Sequence, residues 1–162
     1  MKIAIAADHA GFPLKEEVRA YLANRSEYQV EDLGAFTPDP EDDYSDFAVR
    51  VGKALMSGAA DRGILICGSG VGVCIAANKM PGVRASMCHD TYSAHQGVEH
   101  DQMNVLVLGA RIIGPSLAFE CVDAYLRANF IAEQPRFVRR LNKVKAIEAE
   151  YMPSVAGTAL KS

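Results

Sequence analysis

The sequence predicts a doubly wound α/β fold with about five parallel strands, and two observations support this prediction. Short apolar runs alternate with amphipathic segments along the chain, which is typical of consecutive strand-helix-strand units. Residues 63–66 are continuously apolar rather than alternating with polar residues, as in a strand buried on both faces of a parallel sheet. Right-handed connections between such strands place helices on both sides of the sheet.

Each element of this fold has its own signal. Apolar runs bounded by turn residues predict strands at residues 2–7, 28–33, 63–66, 83–88 and 105–108. Apolar residues at helical spacing predict helices that begin at Pro13, near Ser45, at Val73, at about Thr91, at Pro115 and at Pro135. Asp42 and Asp46 lie at the start of the second helix and are interpreted as its caps.

The composition is typical of a globular protein of the cytoplasm. The 162 residues are 49% hydrophobic and 23% charged, with a net charge of −3, which fits one domain over residues 1–151 and a loosely ordered tail over residues 152–162. There is no bilayer-spanning apolar run and no signal-peptide pattern. The four cysteines form no CxxC pair, and no basic stripe indicates a nucleic acid partner.

The chain is organised around a glycine-rich turn that follows the third strand. Cys67 stands at the end of that strand, and the residues that follow it are Gly68, Ser69, Gly70, Val71 and Gly72. Backbone amides of such a turn approach a ligand closely, and the helix N-terminus favours a phosphate or a developing oxyanion. The same field is expected to favour a thiolate at Cys67. The turn matches neither the nucleotide-triphosphate loop nor the dinucleotide fingerprint, so a purely structural turn is the alternative.

Other polar residues come where parallel sheets bind ligands, at the carboxyl ends of strands. Asp8 and His9 follow the first strand, Arg111 follows the fifth, and His100 shortly precedes the fifth. A helix cap with a solvated neighbour is the alternative for the Asp-His pair.

Four cationic residues lie near the start of the last helix, where the helix dipole disfavours cations: Arg136, Arg139, Arg140 and Lys143. Their placement indicates an anionic ligand, and Arg136 and Arg140 share one helix face. A solvated basic face is the alternative. A thiol, an imidazole, an oxyanion cradle and three guanidinium groups suit a small phosphorylated substrate with an acidic C–H bond beside a carbonyl.

On these motifs the chain resembles the type B ribose-5-phosphate isomerases, within the sugar-phosphate isomerase family that includes the galactose-6-phosphate isomerase subunits. The motifs are the segment at residues 8–12, the Asp43-Tyr44 step, the block at residues 63–85, the Glu99-His100 step, Asn104, residues 109–111 and the Arg136/Arg140 pair. The resemblance implies a Rossmann-like three-layer sandwich with a mainly parallel five-stranded sheet and a protruding C-terminal helix. It also implies an enzyme of the pentose phosphate pathway that needs no metal or cofactor. Its active sites would lie between the subunits of a homodimer or homotetramer.

The resemblance further implies roles for individual residues. Cys67 would be the base that moves a proton between C1 and C2, Ser69 would assist proton transfer between the oxygens, and His100 would help to open the furanose ring. The amides of residues 68–72, Gly68, Gly70, Val71 and Gly72 among them, would hold the enediolate. The remaining residues would bind the sugar, through Asp8 and Tyr44, or the phosphate, through His9, Arg111, Arg136 and Arg140. Some relatives use a glutamate further along the loop, but that position is Val73 here.

Two residues depart from the family pattern and bear on the substrate. Asp101 stands in the substrate-binding region where many members have asparagine, and an ionised carboxylate there would repel an enediolate. Phe137 stands between the arginines where histidine is common. The alternatives are therefore an isomerase of another four-, five- or six-carbon sugar phosphate or a catalytically silent sugar-phosphate-binding subunit. A third is a cysteine hydrolase that uses Cys67 as nucleophile.

Overall fold

The computed structural model describes residues 1–152, and the tail predicted over residues 152–162 lies outside them apart from Met152. Within the described residues the strands are β1 Lys2–Ala7, β2 Gln29–Asp32, β3 Arg62–Cys67, β4 Ala85–Met87 and β5 Val105–Gly109. The helices are α1 Phe12–Ala23, α2 Tyr44–Met56, α3 Val71–Ala77, α4 Thr91–Asp101, α5 Pro115–Arg127 and α6 Pro135–Tyr151. The division into a domain and a tail stays a prediction.

All strand pairs in the described sheet are parallel, in the order β2-β1-β3-β5-β4. The predicted α/β class is confirmed, with a sheet that is fully rather than mainly parallel. The chain moves from β1 outward to β2 and then returns to the other side of β1 to form β3. The gap above the carboxyl ends of β1 and β3 is therefore a topological switch point, where open α/β sheets bind ligands.

The sheet separates two apolar layers, because successive strand residues point to opposite faces. On one face Ile5, Ile64 and Leu106 pack against α1, α4 and α5. On the other face Ala6 and Leu65 pack against α2 and α3. The central strand β3 is buried from Gly63 to Cys67 and flanked by β1 and β5, so it holds Cys67 firmly at its carboxyl end.

The edge strands are shorter than predicted, and the side chain of Asn78 covers the start of β4. Its amide accepts a hydrogen bond from the Ala85 N–H at 2.9 Å and donates one to the Ala85 carbonyl at 2.8 Å. Because a side chain pairs with these backbone groups, the outer edge of β4 needs no neighbouring strand.

Of the helices, α4 and α6 matter most for the site. α4 continues to Asp101, so His100 lies in its last turn rather than after its end. The buried residues of α6 are Phe137 and Leu141, and most of the rest of this helix is exposed. Among the described helices, none is both long and apolar enough to cross a membrane.

Candidate active site

The carboxyl ends of β1 and β3 bring a carboxylate and a thiol into contact. The thiol of Cys67 donates a hydrogen bond to Oδ2 of Asp8 at 2.8 Å. Oδ1 of Asp8 accepts from the backbone N–H of Gly11 at 2.9 Å, and Asp8 is only 5% exposed. Asp8 is therefore fixed by the first turn of the chain after β1 and faces the sulfur with its second oxygen.

This environment raises the pKa of Cys67 to about 11, because burial disfavours the thiolate and Asp8 contributes a hydrogen-bond acceptor and a negative charge. The amides of Gly70 and Gly68 lower the pKa, as the turn was expected to do, but these effects are smaller. The expectation of a favoured thiolate is therefore wrong for this single chain. At neutral pH the sulfur keeps its proton and shares it with Asp8.

The glycine-rich turn is anchored to the segment after β5. The carbonyl of Cys67 accepts from Ala110 N–H at 2.8 Å, and the carbonyl of Gly68 accepts from Arg111 N–H at 2.9 Å. Gly70 adopts a φ of 84°, a left-handed conformation that a side chain would strain. The hydroxyl of Ser69 accepts from Val71 N–H at 3.3 Å and so remains close to the backbone of the turn.

Two predicted substrate-binding side chains lie against this turn. A Cβ atom on Gly68 would be 3.4 Å from the guanidinium carbon of Arg111, which places that cation beside the turn. A Cβ atom on Gly72 would be 2.8 Å from the ring of Tyr44, so glycine at this position lets the half-exposed tyrosine pack closely. One chain therefore brings together Asp8, Tyr44, Cys67, the turn at residues 68–72 and Arg111.

His9 joins this group through Asp42, which the sequence interpretation placed as a helix cap. The cap residue of α2 is instead Asp43, and its side chain makes no capping hydrogen bond. Asp42 turns toward β1, where its Oδ1 lies 2.6 Å from Nδ1 of His9 and accepts from the His9 backbone N–H at 3.1 Å. This contact raises the pKa of His9, mainly through the hydrogen bond to Asp42.

His100 lies in a second group of residues. Its ring stacks on Phe137, with centroids 3.9 Å apart, and its Nδ1 lies 2.6 Å from Nε2 of Gln96. The guanidinium of Arg136 lies over the same Phe137 ring, 5.1 Å from its centroid. The aromatic residue that departs from the family pattern therefore supports the predicted ring-opening histidine directly.

The two groups lie at opposite ends of the strands. The side of the sheet formed by the carboxyl ends of the strands is called the carboxyl edge below, and the side formed by their amino ends the amino edge. α4 starts after the carboxyl end of β4 and leads to the amino end of β5, so its last turn, with His100 and Asp101, is at the amino edge. The start of α6 packs there as well, through Phe137. A strand of five residues separates the edges by roughly 16 Å. One chain therefore does not bring His100, Asp101, Arg136 and Arg140 to Cys67.

Two positioning side chains were missed or misread at the level of sequence. Asp42 precedes a helix, where an acidic residue is read as a cap, and nothing local indicates contact with β1. Gln96 precedes His100 by four residues, a helical spacing that could have indicated the pair. His89, which follows β4, lies beside the end of β5, where its Nε2 accepts from Gly109 N–H at 2.9 Å.

Within residues 1–152, no three His, Cys, Asp or Glu side chains are arranged to hold a metal ion. Cys67, Asp8 and His9 at the carboxyl edge are each capable of acid-base chemistry. With the backbone amides of the turn, they can move a proton next to a site that accommodates negative charge.

Comparison with known proteins places the chain among the isomerases. It belongs to the family described as Ribose/Galactose Isomerase, whose model matches residues 3–144. Ribose-5-phosphate isomerase B of Escherichia coli is 44% identical over 147 residues, covering 91% of this chain and 96% of that protein. The D-erythrulose-4-phosphate isomerase of Pectobacterium atrosepticum is 44% identical over 131 residues, covering 80% of this chain and 85% of that protein.

A solved structure has the same architecture. Ribose-5-phosphate isomerase B of Mycoplasma genitalium, with bound ribulose-5-phosphate, has a TM-score of 0.85 and 41% sequence identity. The match covers 92% of this chain and 97% of that one. The predicted family and the predicted enzyme class are confirmed.

Proposed function

We propose that the protein interconverts ribose 5-phosphate and ribulose 5-phosphate through an enediolate. The observation that carries this proposal is the 2.8 Å contact between the Cys67 thiol and Asp8 beside the glycine-rich turn. It places a proton-transfer group next to backbone amides at the switch point of the sheet. The relatives named for ribose 5-phosphate support this substrate.

We assign the steps of the proton transfer to these groups. Cys67 passes its thiol proton to Asp8, takes the proton from C2 of the open-chain aldose and delivers a proton to C1. Asp8 then returns the thiol proton to the sulfur. Ser69 carries the hydroxyl proton from O2 to O1, so that the aldehyde becomes an alcohol and C2 becomes the ketone. The amides of residues 68–72 hold the negative charge of the enediolate between the two transfers. Asp8 and Tyr44 contact the sugar, whose ring His100 opens.

The phosphate is bound by His9, Arg111, Arg136 and Arg140. Arg111 lies beside Gly68, whereas Arg136 is at the opposite edge of the sheet. Guanidinium groups bind phosphate through paired hydrogen bonds, so cations from both edges would hold the dianion.

These positions lead to a composite site in a homodimer or homotetramer. The amino edge of one copy, with His100, Asp101, Arg136 and Arg140, would cover the carboxyl edge of a second copy. Neither edge of a single chain combines the thiol with all the predicted phosphate-binding residues. We further propose that the enzyme works in the cytoplasm, in the pentose phosphate pathway and without a metal or cofactor, and that residues 1–151 form its domain.

A four-carbon sugar phosphate is the second candidate substrate. Asp101 is exposed in this chain and faces a groove of about 570 Å³ between α4, β4 and α6. A carboxylate in place of an amide near the substrate would change which hydroxyl groups are recognised. A relative named D-erythrulose-4-phosphate isomerase shares 44% identity with this chain.

The experiment that tests the function compares the two substrates directly. Purified protein in deuterium oxide with a chelator is given ribose 5-phosphate or D-erythrulose 4-phosphate, and products are followed by NMR. The proposal expects ribulose 5-phosphate as the product, with deuterium at C1 wherever the proton held by Cys67 exchanges with the solvent before its transfer, and a higher kcat/KM for ribose 5-phosphate. Turnover only of the four-carbon sugar would select the second candidate, and turnover of neither would reject both.

A further inference from the structure

Asp42 contacts His9 in a way that restricts the protonation of the imidazole. A carboxylate can only accept hydrogen bonds, so the 2.6 Å contact between its Oδ1 and Nδ1 of His9 requires the proton on Nδ1. The His9 backbone N–H donates to the same oxygen at 3.1 Å, which ties the ring and its backbone to one acceptor. Among the described residues, Nε2 of His9 has no hydrogen-bond partner and can face a ligand.

The negative charge of the Asp42 carboxylate is balanced by His9. Its side chain is 11% exposed, and its second oxygen, Oδ2, is buried without a hydrogen-bond partner among the described residues. A carboxylate with so little water needs a positive charge nearby. The imidazolium form of His9 supplies that charge, and it also turns Nε2 into a donor.

The charged groups around His9 come from three segments. Asp42 lies before α2, Asp8 follows β1, and Arg111 follows β5; both acids raise the pKa of His9, whereas Arg111 lowers it. The contact with Asp42 is the largest of these effects, and the histidine pKa is raised overall. The imidazolium therefore persists to a higher pH than in an isolated histidine.

We propose that Asp42 is a positioning residue that holds His9 as a doubly protonated donor for the substrate phosphate. The proposal rests on the proposed function only for the identity of the anion. Nδ1–H is committed to Asp42, Nε2–H points to the phosphate, and the ring contributes one positive charge beside Arg111. Asp42 thus acts on the substrate through His9 and does not touch the phosphate itself.

The test compares Asp42→Asn with Glu41→Gln. Asp42→Asn keeps an acceptor oxygen at the contact with His9 but removes the negative charge. Glu41→Gln removes the same charge from the exposed neighbouring residue of the loop, which does not contact His9. The protonation of His9 is followed by NMR titration of its ring, assigned with a His9→Gln sample. Binding of inorganic phosphate is measured by calorimetry at pH 5.5 and pH 7.5, together with KM for the sugar phosphate.

Native protein is expected to titrate His9 above its ordinary pKa of about 6.5. In Asp42→Asn the titration of His9 moves to lower pH, and phosphate affinity falls about tenfold at pH 7.5. At pH 5.5, where His9 is protonated in both the native protein and the variant, the affinity falls less than about threefold. Glu41→Gln behaves as native protein.

An unshifted His9 titration in Asp42→Asn would overturn the proposal, as would an equal loss of phosphate binding at both pH values. A native His9 that titrates at or below its ordinary value would overturn it without any variant. Because the titration and phosphate binding require no turnover, a failed isomerase assay would reject the proposed function and leave this test intact.

Discussion

The two edges of the sheet differ in how their functional groups are held. At the carboxyl edge, Asp8 and Cys67 are fixed by buried strands and by backbone hydrogen bonds, and they contact each other at 2.8 Å. At the amino edge, His100 and Arg136 extend from the last turn of α4 and the first turn of α6, and both pack on the ring of Phe137. The first edge holds the groups proposed to transfer a proton, and the second supplies an imidazole and exposed cations.

On the proposed function, this difference makes a single chain an incomplete enzyme. A thiol of high pKa beside a carboxylate does not attract a phosphate dianion by itself. Exposed arginines without a base bind an anion but cannot isomerise it. On the proposed function, a second copy of the same chain would add Arg136 and Arg140 to the cations that the carboxyl edge already holds, Arg111 and His9.

The largest expected effect is the loss of the base at the carboxyl edge. Cys67→Ala removes the group that carries the proton between C2 and C1, and kcat should fall at least about 1,000-fold. Cys74→Ala, which removes a partly buried thiol one helix turn beyond Val71, should change kcat less than about threefold. Deuterium exchange at C2, measured by NMR, checks both variants. Equal activity in Cys67→Ala and native protein would show that another group is the base.

A smaller effect is expected from removing cations at the amino edge. Arg140→Ala should raise KM for ribose 5-phosphate about 10- to 100-fold, because a charge-assisted contact with the phosphate is lost. Lys145→Ala removes a positive charge from the exposed opposite face of α6, nine residues after Arg136 and so roughly half a turn round the helix from it, and should leave KM within about threefold. Steady-state kinetics checks the pair. Identical losses in both variants would indicate a general charge effect rather than a phosphate contact.

The next prediction concerns the pH dependence of Cys67. Its pKa is raised to about 11, so the protonated form predominates at neutral pH and the thiolate increases as the pH approaches 11. Asp8→Asn removes the negative charge that opposes ionisation, and the midpoint of Cys67 alkylation should fall by about one pH unit. Iodoacetamide labelling, quantified at this cysteine by peptide mass spectrometry between pH 7 and pH 11, checks the shift. A midpoint that stays or rises in the variant would contradict the assigned contact.

The smallest effect is expected at Asp101. If its carboxylate meets the enediolate in the assembled site, Asp101→Asn removes a repulsion and should raise kcat for ribose 5-phosphate about threefold. The ratio of kcat/KM for ribose 5-phosphate and D-erythrulose 4-phosphate, measured in the same preparation, reports whether this residue selects the sugar. An unchanged ratio would assign Asp101 no part in substrate choice.

The carboxyl edge could largely be predicted from sequence, because its residues lie at the ends of strongly apolar strands. Asp8, Cys67 and the glycine-rich turn were all identified from their position after such runs. The raised pKa of Cys67 could not be predicted from sequence, since it depends on burial and on a contact between residues 59 positions apart. The turn amides act in the expected direction but are outweighed by these two effects.

The amino edge was harder to predict, because sequence order hides the geometry. His100 precedes β5 by only a few residues and so was grouped with residues at strand ends, although it lies at the other end of the sheet. The role of Asp42 was hidden for a related reason. An acidic residue before a helix satisfies a local rule, whereas its actual partner, His9, lies 33 positions earlier.

The most direct test of the composite site is complementation between variants of the two edges. Cys67→Ala and the double variant Arg136→Ala/Arg140→Ala are each purified, mixed in equal amounts, and allowed to exchange subunits, with exchange verified by native mass spectrometry. In a homodimer with sites between subunits, about a quarter of the sites in the mixture receive both native edges. The proposal predicts that activity at low substrate rises to about that share of the native value. Activity that stays at the sum of the separate variants, despite complete exchange, would contradict a site shared between subunits.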